Sequence, residues 1–189
     1  MPRRAAPPSQ IYQIKITLKH SKPPIWRRLE VADSITLAHL HMIIQIAMGW
    51  DDSHLHQFSI GEIYYGVPDP SDFEEVQDER RVKLNHLLTE PKQKLTYEYD
   101  FGDSWEHDVL LEKLLPPEAG VDYPRCTAGK RACPPDDVGG IWGYESFLEA
   151  IRDPKHPEHE EMLEWAGGAF DPEAFDIAAV NAILHPDHS

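Results

Sequence analysis

Two cysteines in 189 residues are too few for a disulfide framework, so nothing in the chain asks for an oxidising compartment and the cytoplasm is the expected location. No stretch of about 18 apolar residues occurs, which argues against a membrane-spanning helix. The opening MPRRAAPPSQ has no apolar segment behind its arginines and does not read as a secretory signal. GxSxG, GxxxxGK[ST], HExxH and GxGxxG are all missing, and with them the common signatures of serine hydrolases, P-loop nucleotidases, zinc proteases and dinucleotide-binding enzymes. Basic residues are scarce as well: 18 Lys and Arg stand against 33 Asp and Glu, a formal net charge of −15. The deficit is uneven, since residues 1–100 carry 12 basic and 14 acidic side chains while residues 101–189 carry 6 and 19. Such a surface repels a polyanion, so direct nucleic-acid binding is disfavoured; only the strip Lys19, Lys22, Arg27, Arg28 could touch one.

What is present is globular, with 41% hydrophobic residues, five Trp and seven Tyr. The most informative stretch is Lys94 to Leu114. Leu95, Tyr97, Tyr99 and Phe101 alternate with polar residues, and after Gly102-Asp103-Ser104 the alternation resumes with Trp105, His107, Val109 and Leu111. This spacing predicts two strands joined by a tight turn, a hairpin. Earlier, Ile11–Leu18 and Ile25–Val31 read as a first hairpin across Ser21-Lys22-Pro23-Pro24. A helix follows from Leu37 to Met48, capped by Asp33, Ser34 or Thr36, with Leu37, Leu40, Ile44 and Ala47 on one face and Gly49 at its end. His39 and His41 on that helix read as surface or boundary residues. Leu55–Ile60 and Ile63–Val67 are strand-like, Pro68–Arg81 reads as a charged surface loop, and Val82–Leu88 as a short helical turn.

These elements predict one α+β domain overall. A flexible arm (1–10) precedes a mixed or antiparallel sheet core (11–115) with one main helix packed on it, β-grasp-like. A Gly/Pro-rich loop and helical extension (116–189) completes it, with helices expected at Tyr144–Arg152, His156–Ala166 and Pro172–Leu184.

Two sets of residues stand out for chemistry. His54 and His56, at i and i+2 of a strand, would share a face, and with Asp100, Asp103 and His107 from the hairpin turn they form a candidate ligand set for a divalent metal. The alternative is that these histidines hydrogen-bond at a strand end while Asp103 caps the turn. Trp105, Trp142 and Tyr144, with Asp136 and Asp137 in the CPPDDVGG loop, are candidates for a binding surface; core packing is the competing reading. The Cys126 and Cys133 spacing fits neither a zinc ribbon nor a redox pair.

IYQIKITLKHSKPPIWRRLEV, TLAHLHMIIQIAMGW, HLHQF, YDFGDSWEH and CPPDDVGGIWGY, taken in this order, resemble the plasmid pRiA4b ORF-3-like family from about Ile11 to Tyr144. The resemblance implies an α+β fold and a link to plasmids and mobile elements; it implies no established activity, ligand or catalytic residue. The expectation is an accessory or binding protein acting through contacts with a protein partner. The alternative is a metal-dependent hydrolase or other metalloenzyme, with Asp100 or Glu106 as general base toward a metal-bound water.

Overall fold

Alternation of buried and half-buried side chains runs through the central strands of the computed structural model, which describes residues 10–70 and 75–186. The first hairpin is β1 (Ile11–Leu18) and β2 (Trp26–Ala32), paired antiparallel. Ile14, Ile16 and Leu18 are buried on one face of β1, while Gln13, Lys15 and Thr17 lie on the other. Helix α1 (Leu37–Met48) begins where Thr36 Oγ1 accepts the His39 backbone N–H at 3.2 Å. It ends at Gly49, whose φ of 104° is open to glycine at little cost. Leu37, Leu40 and Ile44 on its inner face are fully buried, each contributing about 1.5–3 kcal/mol of apolar burial.

β3 (His56–Ile60) and β4 (Ile63–Gly66) form a second hairpin, and β5 (Val76–Asp78) adds parallel to β4. After a single helical turn, α2 (Leu84–Leu87), the third hairpin is β6 (Lys94–Tyr99) and β7 (Trp105–Leu115). Next come β8 (Arg125–Lys130) and helices α3 (Gly140–Arg152), α4 (His159–Trp165) and α5 (Ile177–Leu184). Among the described residues, no helix is long and apolar enough to cross a membrane.

The expected β-grasp-like arrangement, one main helix on a sheet and then a helical C-terminal region, is overturned. The sheet is mixed and eight-stranded, in the order β5-β4-β3-β6-β7-β1-β2-β8, with several small helices around it. Helix α1, at 12 residues, is no longer than α3 at 13. Two strands were hidden by their composition. β5 lies in the charged segment read as a loop and is only three residues long, too short to show alternation. β8, RCTAGK, lies in the segment read as coil; it forms because β2 presents an open edge. Its outer side is then held by α5. Asn181 accepts the Cys126 N–H at 2.7 Å and donates to the Cys126 carbonyl at 2.9 Å, satisfying an edge that would otherwise invite another strand. Gly129 of β8 has no room for a side chain, because a Cβ there would lie 2.4 Å from the Phe175 ring.

Three residues of the basic strip are engaged by the fold, and Lys22 is exposed. Arg27 is 1% exposed, donates through Nε to the Ala47 carbonyl at the end of α1 (2.7 Å), and lies 4.0 Å over the Phe175 ring. Arg28 pairs with Glu112 and Lys19 with Glu106. The arm expected at 1–10 falls, apart from Gln10, outside the described residues.

Candidate functional site

Three loops distant in sequence meet at one end of the sheet, and each is fastened to another by backbone hydrogen bonds. The loop after α1 starts at Trp50, a nearly buried ring whose indole N–H donates to the Pro134 carbonyl at 3.1 Å. Ser53 N–H donates to the Tyr99 hydroxyl (3.1 Å), and Asp100 N–H to the Leu55 carbonyl (2.8 Å). Asp103 accepts the Gly139 N–H at 3.0 Å, tying the β6–β7 turn to the 134–139 loop. Gly140, at φ +68°, completes this junction: a Cβ there would stand 2.5 Å from the Asp103 carbonyl oxygen. Asp52, Asp100 and Asp137, one from each loop, all have positive φ (61°, 57° and 58°). Aspartate tolerates that region better than most residues, yet each instance costs on the order of 1 kcal/mol.

His54, Asp100 and Asp137 converge where these loops meet. His54 Nε2 lies 3.3 Å from Asp137 Oδ1 and 3.7 Å from Asp100 Oδ2. The three donor atoms lie within 4.8 Å of one another. Despite that proximity, Nε2 is sealed from solvent and makes no hydrogen bond. Asp100 is held in place through its other oxygen, Oδ1, which accepts the N–H groups of Gly102 (2.9 Å) and Asp103 (3.3 Å). Next to this group are two more carboxyls, Asp51 and Asp136. A hydrogen bond from the Ser53 hydroxyl holds Asp51 below the usual carboxylate range. Burial, with the nearby charge of Asp51, pushes Asp136 up to about 6. Asp137 also lines a cleft of about 600 Å³, together with Trp50, Asp51, Asp136, Trp165 and Phe170 among others.

A second histidine cluster has the opposite character. His41 and His56 stack face to face, ring centroids 3.4 Å apart and planes within 4°. His41 Nδ1 is 2.8 Å from the Tyr97 hydroxyl, and Nε2 is 2.9 Å from Asp52 Oδ1. Gln45 Nε2 donates to the same Tyr97 oxygen (2.9 Å), and the Asp52 N–H donates back to Gln45 Oε1 (2.9 Å). The ring of bonds closes if Tyr97 gives its proton to Nδ1 and His41 donates from Nε2, which makes His41 neutral. Burial lowers its pKa, with His56 next to it as the second cause, so the Asp52 contact is a hydrogen bond more than an ion pair. His56 Nε2 is 2.8 Å from Glu79 Oε2, and Glu79 is buried.

The residues singled out from sequence are thus distributed. His54 and Asp100 come together, joined by Asp137, which had been placed with the binding-surface residues. His56 turns to the second cluster: β3 starts only at His56, so the strand rule relating i to i+2 does not govern His54. Asp103 serves as the tie to Gly139. His107 is fully buried, its Nδ1 3.4 Å from the Tyr97 carbonyl oxygen, and burial pushes it down to about 4. Trp105 and Tyr144 lie in the core, whereas Trp142 is 81% exposed. Glu106 pairs with Lys19. Sequence reasoning missed His41, Asp51 and Glu79. His41 carried a signal, since it lies four residues after Leu37 and three before Ile44, within the apolar stripe; Glu79 sits in a charged run and carried none.

Comparison with known proteins agrees with this architecture. A model of the plasmid pRiA4b ORF-3-like protein family matches residues 10–179. The uncharacterized protein y4hQ of Sinorhizobium fredii is 40% identical over 174 residues, spanning 92% of this chain and 87% of its own. The crystal structure of MM3350 from Methanosarcina mazei Go1, titled a protein of unknown function, superposes with a TM-score of 0.82 at 40% identity, covering 89% of this chain and 96% of that one. By family match and by identity over nearly its whole length, the chain belongs to the plasmid pRiA4b ORF-3-like family.

Proposed function

We propose that His54, Asp100 and Asp137 hold a divalent metal ion and that the chain is a metal-dependent hydrolase. The observation that carries this reading is the spacing of the donor atoms. Metal bonds of 2.0–2.1 Å in a tetrahedron place neighbouring ligand atoms roughly 3.3–3.4 Å apart. Nε2 lies 3.3 and 3.7 Å from the two carboxylate oxygens, close to that edge length and too long for good hydrogen bonds. Three protein ligands leave a coordination position for water, as catalytic sites do. Asp136, with its carboxyl near neutrality, is suited to take a proton from that water. A metal held there would polarise a carbonyl or phosphoryl oxygen and acidify a bound water, and Asp136 would carry the proton from that water to the leaving group as its bond breaks. Metal analysis of protein purified without chelator, followed by Zn²⁺ and Mn²⁺ titration, tests the reading. One ion per chain is expected; protein that binds neither metal above background overturns it.

A second reading rests on Trp142. Exposed in the first turn of α3, it borders a hollow of about 250 Å³ with Lys19, His20 and Ile141. Exposed tryptophans of this kind anchor protein interfaces. In this reading the chain is an accessory protein of plasmid or transposon functions, the setting suggested by the family's description. A pull-down from the source cell in which Trp142→Ala loses the partner seen with wild type supports it; identical capture by both removes it.

A further inference from the structure

We propose that the 600 Å³ cleft beside these ligands binds an organic ammonium ion with an apolar body. As the substrate class of a hydrolase this rests on the metal reading; as a binding site it stands by itself. The volume falls within the range of small-molecule sites. One wall is aromatic and built in advance. Trp165 and Phe170 both pack edge-on against Phe147, at 5.8 and 5.3 Å between centroids, and Phe147 is itself 2% exposed. Trp50, also in the lining, is fixed by its bond to Pro134. The remaining wall is negative: Asp51, Asp136 and Asp137 line it, and no lysine or arginine does.

Among the described residues no lysine or arginine forms an ion pair with any of those three carboxylates; the basic side chain in reach is the imidazole of His54, 3.3 Å from Asp137. Elsewhere the fold pairs its acids routinely, as Glu112 with Arg28 and Glu30 with Arg125. A cluster of like charges facing aromatic rings over an open volume is complementary to one kind of guest. A cationic head relieves the carboxylates and is attracted to the ring faces, while an apolar body covers the rings and the Pro134–Pro135 wall. A neutral isostere gains only the second part, and an anion is repelled.

The test uses three probes of nearly equal shape, phenethylammonium, 2-phenylethanol and phenylacetate, titrated calorimetrically into the full chain at pH 7 in EDTA. The cation is expected to saturate and to bind at least about tenfold tighter than the alcohol, with no phenylacetate binding. Trp165→Ala and Asp137→Asn should each weaken the cation at least about threefold, and Glu62→Gln, on the β3–β4 turn, should not. Trp165 and Asp137 are both exposed, so the variants fold, which circular dichroism confirms. Equal affinity for cation and alcohol, no saturation at millimolar cation, or unchanged binding in both cleft variants overturns the proposal. A Zn²⁺ titration of the same protein after the EDTA is dialysed away separates the two readings. Ammonium binding without metal binding leaves this site standing and ends the hydrolase; metal binding without ammonium binding does the reverse.

Discussion

Two histidine clusters lie at the same end of the sheet, and they differ in whether their hydrogen bonds close. Around His41 both ring nitrogens have a partner: Gln45, Tyr97, His41 and Asp52 form a ring of bonds between 2.8 and 2.9 Å. Around His54 the ring nitrogen faces two carboxylate oxygens at 3.3 and 3.7 Å and bonds neither. A closed network gains nothing from a ligand and rigidifies what it joins, here α1, the 50–55 loop and β6. An open one stores repulsion that a cation would remove. The contrast teaches that a candidate site is recognised by unmet chemistry more than by the density of histidines, since the stacked pair already has its hydrogen bonds made.

The sharpest way to break this contrast is metal affinity. His54→Ala and Asp137→Asn should each lower it by at least about 100-fold, or about 2.7 kcal/mol, while His41→Ala should change it by less than about threefold. Calorimetric titration with Zn²⁺ decides it; a larger loss in His41→Ala would reverse the assignment. Stability should show the mirror image. Removing the buried His41 leaves Tyr97 and Asp52 without their partner and is expected to cost about 2 kcal/mol, while His54→Ala should stay within about 0.5 kcal/mol in chelator. Urea denaturation measures both. The smallest effect is with pH. His41 and His107 have lowered pKa values in the fold, His107 down to about 4, so the unfolded chain protonates them first. Their stabilisation is full above the unfolded pKa of about 6.5 and is lost as pH falls from there toward their folded values. Between pH 7 and 5.5 the unfolding free energy should therefore drop by about 1 kcal/mol. The half-exposed Asp136, raised to about 6, pulls weakly the other way under solvent screening. Stability that rises on acidification over this range would contradict the role given to the core imidazoles.

Much of this was legible where periodicity carries the information. Alternation located the β6–β7 hairpin and placed Tyr97, Trp105 and His107 on its inner face, and the helical stripe located α1 to the residue. The same stripe holds His41, which a reading with Leu40 inward leaves at the surface or boundary, although it is 4% exposed. Strands that exist only because a neighbour offers an edge, β5 and β8, left no pattern to read. The site was half legible. His54 and Asp100 stand out as residue types, but their union with Asp137 depends on two long-range hydrogen bonds between side chain and backbone, Trp50 to Pro134 and Gly139 to Asp103. No local rule predicts which loops meet.

That junction has a further consequence. Two of the three proposed ligands precede the segment at 116–124 and the third follows β8, so severing the chain in that connection would divide the proposed donor set between fragments. The carboxy-terminal piece carries its own docking device, a strand seeking the β2 edge and Asn181 clasping its far side. Fragment complementation and ion capture would then become a single event, with the ion reporting that the halves had found each other.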